Sequence, residues 1–127
     1  MSDPAESERS PDEPRFVRLN FPNLRSDGGI RYSTCSSPIV SRGDRVLLCA
    51  RAWNLSKRGR AEFQLQRSPD GGQTWYAAAQ TCIAHGGRSD LACERVAASA
   101  LRVQVTIFDA EALKPPSFDG GLVFPAK

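Results

Sequence analysis

Apolar residues recur at every second position along this chain, in runs too short and too often interrupted for helices. Leu101, Val103, Val105 and Ile107 alternate with Arg102, Gln104 and Thr106, and Ala61, Phe63 and Leu65 alternate with Glu62, Gln64 and Gln66. A period of two places one set of side chains on each face of a strand. Each such strand has to bury its apolar face against something, and a second sheet is the simplest cover.

The remaining segments fit the same plan. Phe16 to Leu19 is short and β-prone, and Ile30 to Ser33 follows a turn at Ser26-Asp27-Gly28-Gly29. Arg45 to Trp53 is apolar on both faces through Val46, Leu47, Leu48 and Cys49, as expected of a central strand. Trp75 to Ile83 is expected to put Trp75, Ala77, Ala79 and Ile83 on one face, and Leu122 to Phe124 makes a last short strand. Only Asp90 to Ala100 has room for a helical turn or two, because Ala92 to Ala100 lacks glycine and proline. With 127 residues the chain is one domain long. The expected fold is all-β: an antiparallel β-sandwich, Ig-like or jelly-roll-like, with an extended N-terminal arm.

That arm is residues 1–14, with 15–127 as the single β-sandwich domain. Asp3, Glu6, Glu8, Asp12 and Glu13 face Arg9 alone, so the arm is acidic although the chain carries a net +3. An acidic arm on a basic body suits a neighbour's basic surface or its own. The arm lacks the apolar stretch of a secretory signal, and no apolar run approaches the ~20 residues of a membrane-spanning helix, so no membrane partner is expected. Arginine outnumbers lysine fourteen to three. That ratio fits planar contacts with anions, or simply a GC-rich genome.

Cys35, Cys49, Cys82 and Cys93 contain no C-x-x-C pair, which argues against a zinc ribbon or a thioredoxin-like site. Two local bridges, Cys35–Cys49 and Cys82–Cys93, are the expected arrangement, and four separate buried thiols in strands are the alternative. His85 is the only histidine, and a Cys82/His85/Cys93 metal cluster would lack a fourth ligand. A Cys82–His85 nucleophile pair has no recognisable orienting group. No catalytic residue, cofactor or metal is therefore expected.

The sharpest local signal is Ser68-Pro69-Asp70-Gly71-Gly72-Gln73-Thr74-Trp75, a full S-x-D-x-G-x-T-W Asp box. Pro69 presets a turn corner, Asp70 accepts from turn amides, and Gly71 and Gly72 take positive φ. Ser68, Asp70, Gly71, Gly72, Thr74 and Trp75 are thus expected to build a structural turn rather than a catalytic one. Asp-Gly-Gly also occurs at Asp27 and Asp119, and three independent tight turns are expected rather than propeller blades. Arg42-Gly43-Asp44 reads as a turn, and Asn54-Leu55-Ser56 as a sequon by spelling alone. Lys57, Arg58 and Arg60 form a basic hairpin tip, a candidate partner contact.

From Gly43 to Ala79 the chain runs strand, basic turn, a strand ending Leu65-Gln66-Arg67-Ser68, then Asp-Gly-Gly-x-Thr-Trp. This segment resembles the Ig-like β-sandwich modules of tailed-bacteriophage virion proteins. The resemblance implies a structural accessory protein in the virion, cementing the capsid or completing the head–tail neck. Its partners would be other virion structural proteins, with a homo-oligomer in the assembly and no direct nucleic-acid contact. The alternative is a tail-associated carbohydrate- or receptor-binding module that stacks sugar rings on Trp53, Trp75 and Tyr76. An inhibitor acting by surface blockade is a third class, for which no residue speaks.

Overall fold

The computed structural model describes residues 14–21, 25–27, 31–84, 86–109 and 117–125. Residues 1–13 of the acidic arm 1–14, and His85, lie outside the described residues. Among the described residues run ten strands: β1 (Arg15–Arg18), β2 (Arg25–Asp27), β3 (Arg31–Cys35), β4 (Ile39–Val40), β5 (Arg45–Trp53), β6 (Arg60–Ser68), β7 (Tyr76–Ala84), β8 (Gly87–Glu94), β9 (Ala100–Phe108) and β10 (Ser117–Phe124). They form two antiparallel sheets, one ordered β1-β10-β5-β8 and the other β2-β3-β9-β6-β7, with β4 also beside β9. The fold is an all-β sandwich.

The alternating segments do what their pattern requires. From the six-stranded sheet, Ala61, Phe63 and Leu65 of β6 and Leu101, Val103, Val105 and Ile107 of β9 are fully buried. From the four-stranded sheet, Val46, Leu48, Ala50 and Ala52 of β5 and Leu122 and Phe124 of β10 cover them. β5 is central, flanked by β10 and β8, which explains why its outward Leu47 and Cys49 are also half-buried. Between β3 and β4 the chain breaks step at buried Ser36. Its amide donates to Val103 O, and its Oγ accepts from Val103 N, both at 2.8 Å. The ladder on β9 is thereby kept satisfied through the interruption.

Three expectations fail, each for a local reason. The segment from Asp90 holds no helix: β8 runs to Glu94 and pairs with β5 from Arg45↔Glu94 to Ala52↔Gly87. Half-buried Ser89, Leu91 and Cys93 alternate there with exposed neighbours, and that period of two overrides helix propensity. Asp119-Gly120-Gly121 is not a turn but the middle of β10. A side chain at Gly121 would collide with the Phe16 ring, and one at Gly120 would crowd Leu19. These glycines let β1 and the residues after it lie close on the sheet. Finally, Leu65 pairs with Ala79 but Gln66 with Ala77, so Ala78 is an extra residue. This bulge inverts the facing of everything before it in β7. Ala79 and Ile83 keep the inward side, whereas Ala77 joins Gln66 on the outward side.

Candidate functional site

The Asp box closes the β6–β7 hairpin as a hydrogen-bonded turn that Ser99 braces from outside, its Oγ accepting from Gly71 N at 2.8 Å and donating to Ser68 O at 3.1 Å. Buried Ser68 donates from Oγ to Asp70 Oδ1 at 2.7 Å and accepts from Gly72 N at 2.8 Å. Asp70 Oδ1 accepts from the amides of Gln73 (3.0 Å) and Thr74 (2.9 Å), and Oδ2 accepts from Thr74 Oγ1 (2.6 Å). The bonds from the Thr74 hydroxyl and amide and from Ser68 hold the Asp70 carboxyl well below the usual carboxylate range. Gly71 and Gly72 take φ of 75° and 104°, which glycine adopts without strain. Trp75 Nε1 donates to Gly72 O at 3.1 Å, fixing the indole at the start of β7.

Because of the Ala78 bulge, Trp75 stands on the outward side of the six-stranded sheet, where the Arg102 guanidinium lies 4.3 Å from its ring centroid. From Arg102 a continuous array crosses β9, β6 and β7. Arg102 Nε donates to Gln66 Oε1 at 2.6 Å. Gln66 Nε2 donates to Gln64 Oε1 at 2.7 Å and to Gln104 Oε1 at 3.2 Å. Gln64 Nε2 reaches Gln80 Oε1 at 3.4 Å. Register aligns Cys35, Gln104, Gln64 and Gln80 in one row over four strands, a span of about 14 Å at the usual strand spacing. At one end of the sheet, Arg60 stacks over Phe108 at 4.4 Å and pairs with Glu62 at 3.5 Å.

Five flat polar side chains and one indole are thus held against one another. The amides present uncharged donors and acceptors side by side, and among the described residues Gln104 Nε2 and Gln80 Nε2 donate to no protein acceptor. Chemically, the array can recognise hydroxyl-rich, uncharged ligands, with a planar guanidinium–indole pair at one end.

The other expected features are dispersed. Trp53, Trp75 and Tyr76 do not form a common platform. Trp53 ends β5 in the four-stranded sheet, beside Gly86 past the far end of β7, whereas Tyr76 begins β7. Nine residues of strand separate those ends, roughly 25 Å. The basic tip is divided too. Lys57 and Arg58 are exposed in a turn, while Arg60 belongs to β6 and its Phe108 contact. That turn is anchored by buried Asp109, which accepts from Ser56 N at 2.7 Å and from the Ser56 hydroxyl.

The two expected disulfides are absent, and all four thiols are free. Cys35 pairs across from Gln104 on the outward side of one sheet, and Cys49 across from Gly121 on the outward side of the other. Two sheets lie between them, about 10 Å of core, against the roughly 7 Å limit on Cα separation for a bridge. Cys82 faces outward beside Glu62, and Cys93 faces inward beside Val46 on the opposite sheet. Among the described residues no three potential metal ligands come together.

No known family model matches the chain, and no curated protein is similar to it in sequence. Among solved structures, one similar in shape is TmCBM61 in complex with β-1,4-galactotriose, a carbohydrate-binding module. Its TM-score is 0.47 at 8% identity, over 98% of this chain and 97% of that one. Another, described as "CBM4 structure and function", has a TM-score of 0.36 at 10% identity, over 94% of this chain and 87% of that one. Likeness at that level leaves function to be argued from the side chains.

Proposed function

We propose that this chain is a non-catalytic carbohydrate-binding β-sandwich that takes a neutral oligosaccharide along the outward face of its six-stranded sheet. The observation that supports this reading is the interlocked array Trp75–Arg102–Gln66–Gln104/Gln64–Gln80. A face serving solubility alone would carry independent charges. Here the amides fix one another, so the entropy of ordering them is lost in folding rather than in binding. Amides match the paired donor and acceptor character of sugar hydroxyls, and the row is longer than one pyranose ring is wide. The array itself contains no carboxylate to act as general acid or base, in keeping with binding rather than hydrolysis.

Affinity electrophoresis tests the proposal with soluble β-1,4-galactan and a soluble β-1,4-glucan as probes. Retardation by either polysaccharide, abolished in Gln104→Ala and Arg102→Ala, is the expected result. Unretarded migration through both, or retardation equal in wild type and variants, would overturn it.

A second reading keeps the structural virion accessory role. It is favoured by β1, which among the described residues pairs only with β10 and which follows the acidic residues 1–14 in the sequence. A sheet edge preceded in sequence by an acidic, proline-containing segment suits lacing onto a neighbouring subunit. Incorporation of full-length chain into partner particles, lost on deletion of residues 1–14, would support this role; equal incorporation of both would remove it.

A further inference from the structure

The outward face of the four-stranded sheet has a different chemistry from the glutamine face. Register sets Arg51 of β5 directly opposite Asp119 of β10 on one side and Arg88 of β8 on the other. Two like charges opposite each other on neighbouring strands repel. The carboxylates nearby do not fully compensate. Asp119 is shared between Arg51 Nη2 at 3.2 Å and Arg18 Nε at 3.6 Å. Asp90 takes both Nε (3.1 Å) and Nη2 (2.9 Å) of Arg88. Among the described residues, three guanidiniums against two carboxylates leave a surplus of one positive charge. All three arginine side chains are more than 60% exposed, and among the described residues Arg51 engages only one of its three nitrogens.

The shape is equally specific. These arginines rim a depression of about 620 Å³ whose lining includes Phe16, Cys49 and Asp119. Gly121 has no side chain, and the Phe16 ring lies over it, 61% exposed, at the edge formed by β1. Burial and the neighbouring Asp90 push the Cys49 thiol up, so the floor is neutral. An aromatic ring, a neutral floor and a surplus of one positive charge share one hollow.

We propose that this depression is a second binding site, for a monoanionic sugar residue bearing a carboxylate or a sulfate ester. The anion would sit between Arg51 and Arg88, where it relieves their repulsion, and the apolar face of the sugar ring would rest on Phe16. A surplus of one charge suits a monoanion; a phosphate monoester, nearly doubly charged at neutral pH, would overshoot it. Guanidinium forks match carboxylate and sulfate oxygens in pairs. The site is on the opposite sheet from the glutamine array and does not depend on it.

The test is calorimetric titration with trigalacturonate, a sulfated disaccharide, neutral galactotriose and inorganic sulfate. Variants are Arg51→Gln, Arg88→Gln and Phe16→Ala, with Gln104→Ala as the control for the other face. Saturable binding of the uronate or the sulfated sugar is expected, whichever anion is the source. Losing one charge-assisted bond should weaken it about tenfold or more in each arginine variant. It should also weaken in Phe16→Ala and be unchanged in Gln104→Ala. Amide resonances of Cys49, Arg88 and Gly121 in the wild-type protein should shift on titration, which tests the location without any variant. No saturable binding of either acidic sugar, equal affinity in Arg51→Gln, or shifts confined to β6 and β9 would overturn the proposal. Inorganic sulfate binding as tightly as the sugars would overturn the role given to Phe16.

Discussion

Replacing Ser68 with alanine probes how the hairpin that carries Trp75 is held. Ser68 is fully buried, and its Oγ donates to Asp70 Oδ1 and accepts from Gly72 N at 2.8 Å and Asp70 N at 3.4 Å. Alanine removes the hydroxyl without changing the backbone, so the Gly72 amide loses its acceptor at a half-buried site. An unsatisfied group of this kind costs about 1–3 kcal/mol, and a central value of ~2 kcal/mol is expected for Ser68→Ala. With a urea m-value of about 2 kcal/mol per M for a small domain, the unfolding midpoint should fall by ~1 M. Urea titration followed by far-ultraviolet circular dichroism reads this directly. A midpoint within about 0.2 M of wild type at unchanged m would refute the reasoning, because water would then be replacing the hydroxyl at no cost.

Other outcomes follow from the same structure. Leu65→Ala, at a fully buried position under the β6–β9 pair, should cost about 2–5 kcal/mol in the same assay. Asp70 has its carboxyl pKa lowered in the folded state, so its contribution is fully present above the unfolded value of about 4 and is lost as pH falls further. Stability measured across that acid range should decline less steeply in Asp70→Asn than in wild type. Thiol titration of native protein should find exposed Cys82 reacting before Cys49, whose pKa is raised, and unfolded protein should yield four free thiols without reductant. No free thiols in place of four would restore the two disulfides that the sheet positions exclude.

Much of the scaffold could be read from single strands. The alternation in Ala61–Leu65 and Leu101–Ile107 determines which side chains are buried, and the two-sided apolar run of Arg45–Trp53 marks a central strand. The bonds of the Asp70 carboxylate, too, are local, made within the eight residues of the Asp box, although Ser99 adds a brace that the motif does not show. What escaped depends on relations between strands. The glutamines of β6, β9 and β7 are unremarkable polar positions until strand order and register bring them side by side. Trp75 changes face because one alanine, Ala78, is an extra residue, and nothing in Ala77-Ala78-Ala79 marks which of them bulges. Gly120 and Gly121 read as a turn by composition, yet they are small because Leu19 and Phe16 need the space. The cysteine pairs were close in sequence, but consecutive strands here often belong to opposite sheets, so sequence proximity misled.

The two tryptophans offer the most direct test of the glycan-binding face, since they stand on opposite sheets. Trp53→Phe leaves Trp75 as the sole indole, within the array, and Trp75→Phe leaves Trp53 as a distant reporter. Titration of a binding oligosaccharide, starting with β-1,4-galactotriose and a β-1,4-glucan oligomer, should produce a saturable change in emission from Trp75 and none from Trp53. A saturable change from Trp53 alone, or no saturable change from Trp75 with any neutral oligosaccharide that the protein binds, would contradict the account.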